Sequence, residues 1–198
     1  MKEPFKIPHY SVSVLNIREM IINEAKGSKL IDDWFLDGHL MEVERLANWL
    51  CDVYPEANRD VVGLGVWFHD IGRLRGIDDG HDVYGANEAK KIMSGKGFSE
   101  LVTDKVYDVC RTHRASDAKP ISLEAKILAT ADAMSHFTHD FYLRLFSHYS
   151  GKISYQEIIS KISKKLERDY NDKIIFDEAK EKVSKKYKAW KEIISSGI

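Results

Sequence analysis

The run Val61-Val62-Gly63-Leu64-Gly65-Val66-Trp67-Phe68 is apolar on every side and leads directly into His69-Asp70. A helix that is apolar all round belongs in the middle of a domain. Gly72 stands just past the polar pair, where a helix C-terminus favours glycine. The stretch therefore predicts a central helix that carries an imidazole and a carboxylate at its buried end. Buried polar groups cost free energy unless something satisfies them. The rest of the chain must supply the partners.

Candidates come from other helices. Leu36, Leu40, Val43, Leu46, Ala47 and Leu50 follow the three-and-four spacing of an amphipathic helix over about Leu36 to Tyr54. His39 falls at the edge of its buried stripe, and Pro55 closes it. A glycine- and charge-rich stretch from Ile71 to Asp79 reads as a loop. His81 then opens a helix to about Met93, with Gly85, Ala86 and Ala89 spaced for close approach of a neighbour. From Ser99 to His113, Val102, Val106, Val109 and His113 share one face. From Ser122 to His136, Asp132 lies among Ala125, Leu128, Ala129 and Ser135. An earlier helix covers about Ser11 to Ala25, after a lead containing Pro4 and Pro8.

Beyond Ser150 the character changes. Two amphipathic helices, Ile153 to Tyr170 and Ile174 to Ile194, carry sparse apolar anchors and are joined near Asn171-Asp172. Their lysine runs, Lys164-Lys165 and Lys185-Lys186, read as solvated faces. No β-rich region and no internal repeat is visible. The fold class is all-α, a single helical bundle with an extra C-terminal helix pair.

Composition removes several classes of function. With 30 basic and 31 acidic residues among 198, the net charge of -1 argues against a nucleic-acid-binding surface. The two cysteines, Cys51 and Cys110, lie far apart and fit reduced core positions. Met1-Lys2-Glu3-Pro4 leads into no signal-like apolar region, and no apolar run approaches the ~20 residues of a membrane span. The expected compartment is the cytoplasm, with no membrane partner.

His39, His69, Asp70, His81, His113 and Asp132 thus form a set of nitrogen and carboxylate donors on inward faces. Such donors suit zinc, manganese, iron or nickel. The surrounding motifs, Val66 to Gly72 ending in His-Asp-Ile-Gly, His81-Asp82-Val83-Tyr84-Gly85-Ala86, and Leu123 to Ala133 with Ala131-Asp132, resemble those of the HD-domain superfamily of metal-dependent phosphohydrolases. The resemblance covers about Leu36 to Phe137. It covers neither the N-terminal lead nor the C-terminal pair; it implies an HD-type helical domain, placed within residues 1–150, and the sparse apolar anchors of residues 151–198 suggest that this pair packs on the same domain.

The resemblance also implies a divalent ion (manganese, iron, zinc, nickel, cobalt or magnesium) held by His39, His69, Asp70 and Asp132. His81 and His113 match the positions that hold a second ion in some members; otherwise they face the substrate phosphate. Asp70, His81 and His113 are then the catalytic candidates. Arg73, Arg114, Lys126 and His136 are candidates for binding a small phosphorylated substrate or nucleotide, and Arg75 reads as a surface salt bridge. Two other outcomes stay open: a di-iron oxygenase using all six donors, and a non-catalytic signalling module, against which the intact donor set counts. The C-terminal pair caps the bundle or forms a homodimer.

Overall fold

The computed structural model describes residues 9–195, so the lead with Pro4 and Pro8 lies outside the described residues. All regular elements among those residues are helical. They are α1 (Val12–Gly27), a π-helical turn (Phe35–Leu40) running into α2 (Met41–Val53), α3 (Arg59–Phe68), α4 (Ile71–Leu74), α5 (His81–Gly95), α6 (Glu100–Thr112), α7 (Leu123–Thr138), α8 (Phe141–Tyr149), α9 (Tyr155–Arg168), a second π-helical turn (Asp169–Lys173) and α10 (Asp177–Ser195). No described helix is long and apolar enough to cross a membrane.

The all-apolar run forms α3, and every residue from Val61 to Phe68 is buried. α1, α2, α5, α6 and α7 surround it. Asn58 starts this helix by accepting a hydrogen bond from the Val61 amide. Ser99, Ser122 and Ser154 do the same for α6, α7 and α9, with Glu157 completing a capping box in the last.

A buried ion pair fixes the end of α3. The Trp67 indole N–H donates to Glu44 Oε1 at 2.8 Å, and Arg18 Nε donates to both Glu44 oxygens at 3.0 and 3.2 Å. The Arg18 guanidinium also lies 5.1 Å from the Trp67 ring centroid. Burial pushes the Glu44 carboxyl above its ordinary range, and Arg18 and Trp67 oppose that shift. Arg18→Ala is expected to cost about 3 kcal/mol at pH 7, because it leaves a buried carboxylate uncompensated. A raised carboxyl pKa means that the folded state holds the extra proton, so stability falls as pH rises. Urea titrations should therefore show a smaller deficit for this variant at pH 5 than at pH 7.

Two glycines mark close approaches rather than turns. A Cβ on Gly85 would lie 2.9 Å from the His69 carbonyl oxygen and 3.0 Å from that of Phe68. α5 thus seats directly on the backbone at the end of α3. These atoms cannot yield as a flexible side chain would, and Gly85→Ala is expected to cost about 1–3 kcal/mol of stability. Thermal melts check this. Gly72 lies inside α4, not at a helix C-terminus, and its missing Cβ makes room for His81. The predicted loop from Ile71 accordingly opens with one helical turn, held by buried Ile71 and Leu74.

One element departs from the sequence expectation. Phe141, Tyr142, Leu145, Phe146 and Tyr149, a helical spacing, form the separate helix α8. The joint between the last two helices, expected near Asn171-Asp172, is a π-helical turn over Asp169–Lys173, with Asn171 and Asp172 exposed and Asp169 and Lys173 buried. α9 packs on α8, and α10 packs on α7 and α9, through Ile158, Ile162, Leu166, Ala179 and Val183. Thr130 of α7 clasps the joint, donating to the Lys173 carbonyl and accepting from the Ile175 amide.

Candidate metal centre

Helix ends leave backbone carbonyls without partners, and several histidines use them. His69 and His113 stand at the C-termini of α3 and α6. Their Nδ1 atoms lie 2.7 Å from the Val66 carbonyl and 2.6 Å from the Cys110 carbonyl. His81 Nδ1 meets the Asp78 carbonyl at 2.7 Å. A carbonyl only accepts, so each Nδ1 carries the proton and each Nε2 is a bare lone pair.

His39 follows the same logic through Ser135. The serine hydroxyl donates to the Asp132 carbonyl at 2.7 Å, so its oxygen accepts from His39 Nδ1 at 3.2 Å. His136 Nδ1 donates to Asp169 at 2.8 Å.

The bare Nε2 atoms converge on two carboxylates. Asp70 Oδ2 is 3.2 Å from His39 and 3.7 Å from His69; Asp70 Oδ1 is 3.3 Å from His81 and 3.7 Å from His113. Asp132 Oδ1 is 3.7 Å from both His39 and His136. All seven residues are buried. With the protons on Nδ1, Nε2 lone pairs face carboxylate oxygens, His39 Nε2 within hydrogen-bonding distance of Asp70 Oδ2, and His69 Nε2 and Asp70 Oδ1 have no hydrogen-bond partner. Such an arrangement repels itself unless a cation sits inside it. The donors group as His39, His69 and Asp70; as Asp70, His81 and His113; and as His39, Asp132 and His136. Nitrogen and oxygen ligands in this mixture fit a divalent transition metal.

The electrostatics agree with neutral rings at His69, His113 and His136 and with ionised carboxylates. Burial, reinforced by His69, pushes His113 down to about 3. Burial and then Lys165 push His136 down to about 4, and burial lowers His69. Burial opposes ionisation of Asp70 and Asp132, yet the neighbouring imidazole and cationic groups outweigh it. For Asp70 these are led by His69 and Arg73, and for Asp132 by Lys173, and both carboxyls stay well below the usual range.

A cavity of about 830 Å³ opens over this cluster. His39, Asp70, His81, His113, Asp132 and His136 line it, with His69 behind them. Arg73 and Arg114 reach its wall, Arg73 paired with Asp78 and Asp70 and Arg114 with Asp82. Lys126 does not. It sits in the first turns of α7, six residues and about 9 Å before Asp132 along the axis, on another face. Arg75 pairs with Glu24 and Glu88 away from the cavity, as a salt bridge should.

The C-terminal helices add residues that the motif reading misses. Lys173, almost fully buried, holds Asp132 Oδ2. Lys165 and Arg168 line the cavity, so only Lys164 of that lysine pair is solvated. Lys165 bonds Asp169, which also accepts from His136 and Tyr142. A signal was present: Asp169 and Lys173 continue the buried stripe of Ile158, Ile162 and Leu166 at helical spacing. Trp34, Arg144 and His148 complete the part of the wall that no motif announced.

An all-helical bundle with a histidine–aspartate centre at the end of its buried helix defines a class of metal-binding domains. The HD-domain family model matches residues 36–136, just over half of the chain, and the chain belongs to the HD-domain family. The family implies divalent-metal binding, and the matched span holds all seven cluster residues but none of Lys165, Arg168 and Lys173. The fold is also similar to the crystal structure of a predicted HD superfamily hydrolase from an uncultured Thermotogales bacterium. That likeness has a TM-score of 0.59 at 21% identity, and covers 96% of this chain and 92% of the other. No curated protein matches the chain.

Proposed function

We propose that this chain is a metal-dependent phosphohydrolase acting on a small phosphoester. The observation that carries the reading is a donor cluster with orphaned lone pairs at the floor of a cavity walled by arginines and lysines. His39, His69, Asp70 and Asp132 would hold one divalent ion. The tautomers favour a second ion over direct phosphate contact at His81 and His113: a bare Nε2 repels a phosphate oxygen, whereas it donates to a metal. Asp70, with one oxygen towards each group of histidines, would serve both. When bound, divalent ions supply Lewis acidity to a phosphoryl oxygen and lower the pKa of an adjacent water.

The remaining work falls to the chain. Lys173 occupies one oxygen of Asp132 and so orients the other towards the cluster. Arg73 and Arg114 place positive charge at the rim, where charge on a phosphoryl group is stabilised. Trp34 and Phe141 close one side with apolar surface and restrict water. The test is hydrolysis of p-nitrophenyl phosphate by metal-stripped protein, alone and with manganese, cobalt or nickel. Metal-dependent release of p-nitrophenol is expected; equal rates with and without metal would sink the reading. The six-donor arrangement also suits a di-iron oxygenase, for which metal analysis would find two tightly held irons and the other metals would not stimulate phosphoester hydrolysis.

A further inference from the structure

The cavity reaches well beyond the histidine–aspartate cluster, to α8 and α9. Most cations on its wall are already balanced. Arg73 pairs with Asp78, Arg114 with Asp82, Arg144 with Asp32, Lys165 with Asp169 and Lys173 with Asp132. Arg168 is different. It is exposed, it lines the cavity, and it has no carboxylate or hydrogen-bond partner among the described residues. Lys165 stands one turn earlier on the same helix. Asp169, next to Arg168 in sequence, is fully buried and turned onto His136 and Tyr142, so it does not neutralise Arg168. The lysine is itself disfavoured as a cation by burial and by the charges of Lys173 and Arg168. Arg168 is thus the one cation on this wall that no carboxylate among the described residues pairs.

Lys165 stands beside the cluster: its Nζ and His136 Nδ1 meet the same Asp169 oxygen at 3.1 and 2.8 Å, and both groups face the Phe141 ring, at 5.0 and 3.9 Å from its centroid. Arg168 follows one turn later on α9, exposed on the wall of the same cavity. Guanidinium groups bind planar and tetrahedral oxyanions through paired N–H donors.

We infer that Arg168, with Lys165 beside it, forms a second oxyanion subsite, and that the substrate is anionic at both ends. One end is the phosphoester at the histidine–aspartate cluster. The other is a phosphate or carboxylate held against α9 by Arg168. The inference rests on the phosphohydrolase reading and narrows its substrate class to doubly anionic small molecules.

Calorimetry on the full chain loaded with manganese tests it with three non-hydrolysable probes: phenylphosphonate, 4-carboxyphenylphosphonate and 1,4-phenylenediphosphonate. At least one of the two bifunctional probes should bind about tenfold or more tightly than phenylphosphonate, as expected of a charge-assisted arginine contact. In Arg168→Gln that ratio should fall to about one. The tighter of the two identifies carboxylate or phosphate as the second group. A ratio near one in the unaltered chain, a ratio that survives Arg168→Gln, or no binding of any probe overturns the subsite. Turnover of p-nitrophenyl phosphate by the same preparation separates the two claims. A bifunctional preference without turnover removes the phosphohydrolase reading and leaves the subsite; turnover without a preference does the reverse.

Discussion

Alanine in place of Asp70 is expected to abolish divalent-metal binding and to remove at least about a thousandfold of phosphoester turnover. No other residue among those described faces both groups of histidines: Oδ2 meets His39 and His69, and Oδ1 meets His81 and His113. The loss should be readable without any substrate. A ligand that binds only the folded state at a hundred times its Kd stabilises that state by about 2.7 kcal/mol. For a chain of this size that corresponds to a rise in Tm of about 5–10 °C. Differential scanning calorimetry with and without manganese should show such a rise in the unaltered protein and none in Asp70→Ala. A variant that still shows the rise, or that still turns over substrate, would remove Asp70 from the centre.

Lys173→Met should produce the second large effect. The side chain is 3% exposed and its ammonium sits on Asp132 Oδ2. Methionine keeps the bulk and removes the charge, which leaves Asp132 as a buried carboxylate without its main counter-charge. The expected cost in metal-free protein is about 3–5 kcal/mol. Saturating manganese should recover part of it, because an ion at Asp132 replaces the missing positive charge. Urea titrations in the two conditions check this; an equal deficit in both would mean that Lys173 and the ion do not share Asp132.

Legibility in the sequence followed local pattern. α3 was plain because eight successive apolar residues leave a helix no solvent face. His69, His113 and Asp132 were plain because each falls on a face whose other members are apolar. Phe141 to Tyr149 was legible in principle, since the spacing is helical, but an aromatic cluster alone does not declare its own boundaries. Lys126 was misplaced because proximity in sequence to Asp132 says nothing of helix phase: six residues turn a helix to a different face. Lys165 and Arg168 were hidden for the opposite reason. On an amphipathic helix a lysine at the edge of the apolar stripe looks the same whether water or a cavity lies beyond it. What lies beyond is set by α8, whose packing no local pattern in α9 encodes.

The two π-helical turns tie these observations together. Each holds a residue that touches the carboxylates, His39 in Phe35–Leu40 and Lys173 in Asp169–Lys173. A π turn accommodates one residue more than the α-helix it interrupts, and each residue of an α-helix advances the face by about 100°. Both walls of the centre are therefore set in angular phase by a single surplus residue. Deleting one residue from Phe35–Leu40 would restore an unbroken helix and rotate Trp34 away from the cavity while leaving α2 packed. Deleting one from Asp169–Lys173 would set Lys173 against α9, so that either the ammonium leaves Asp132 or Arg168 leaves the wall. One residue fewer at either point would keep the bundle and move a residue of the cavity wall out of place.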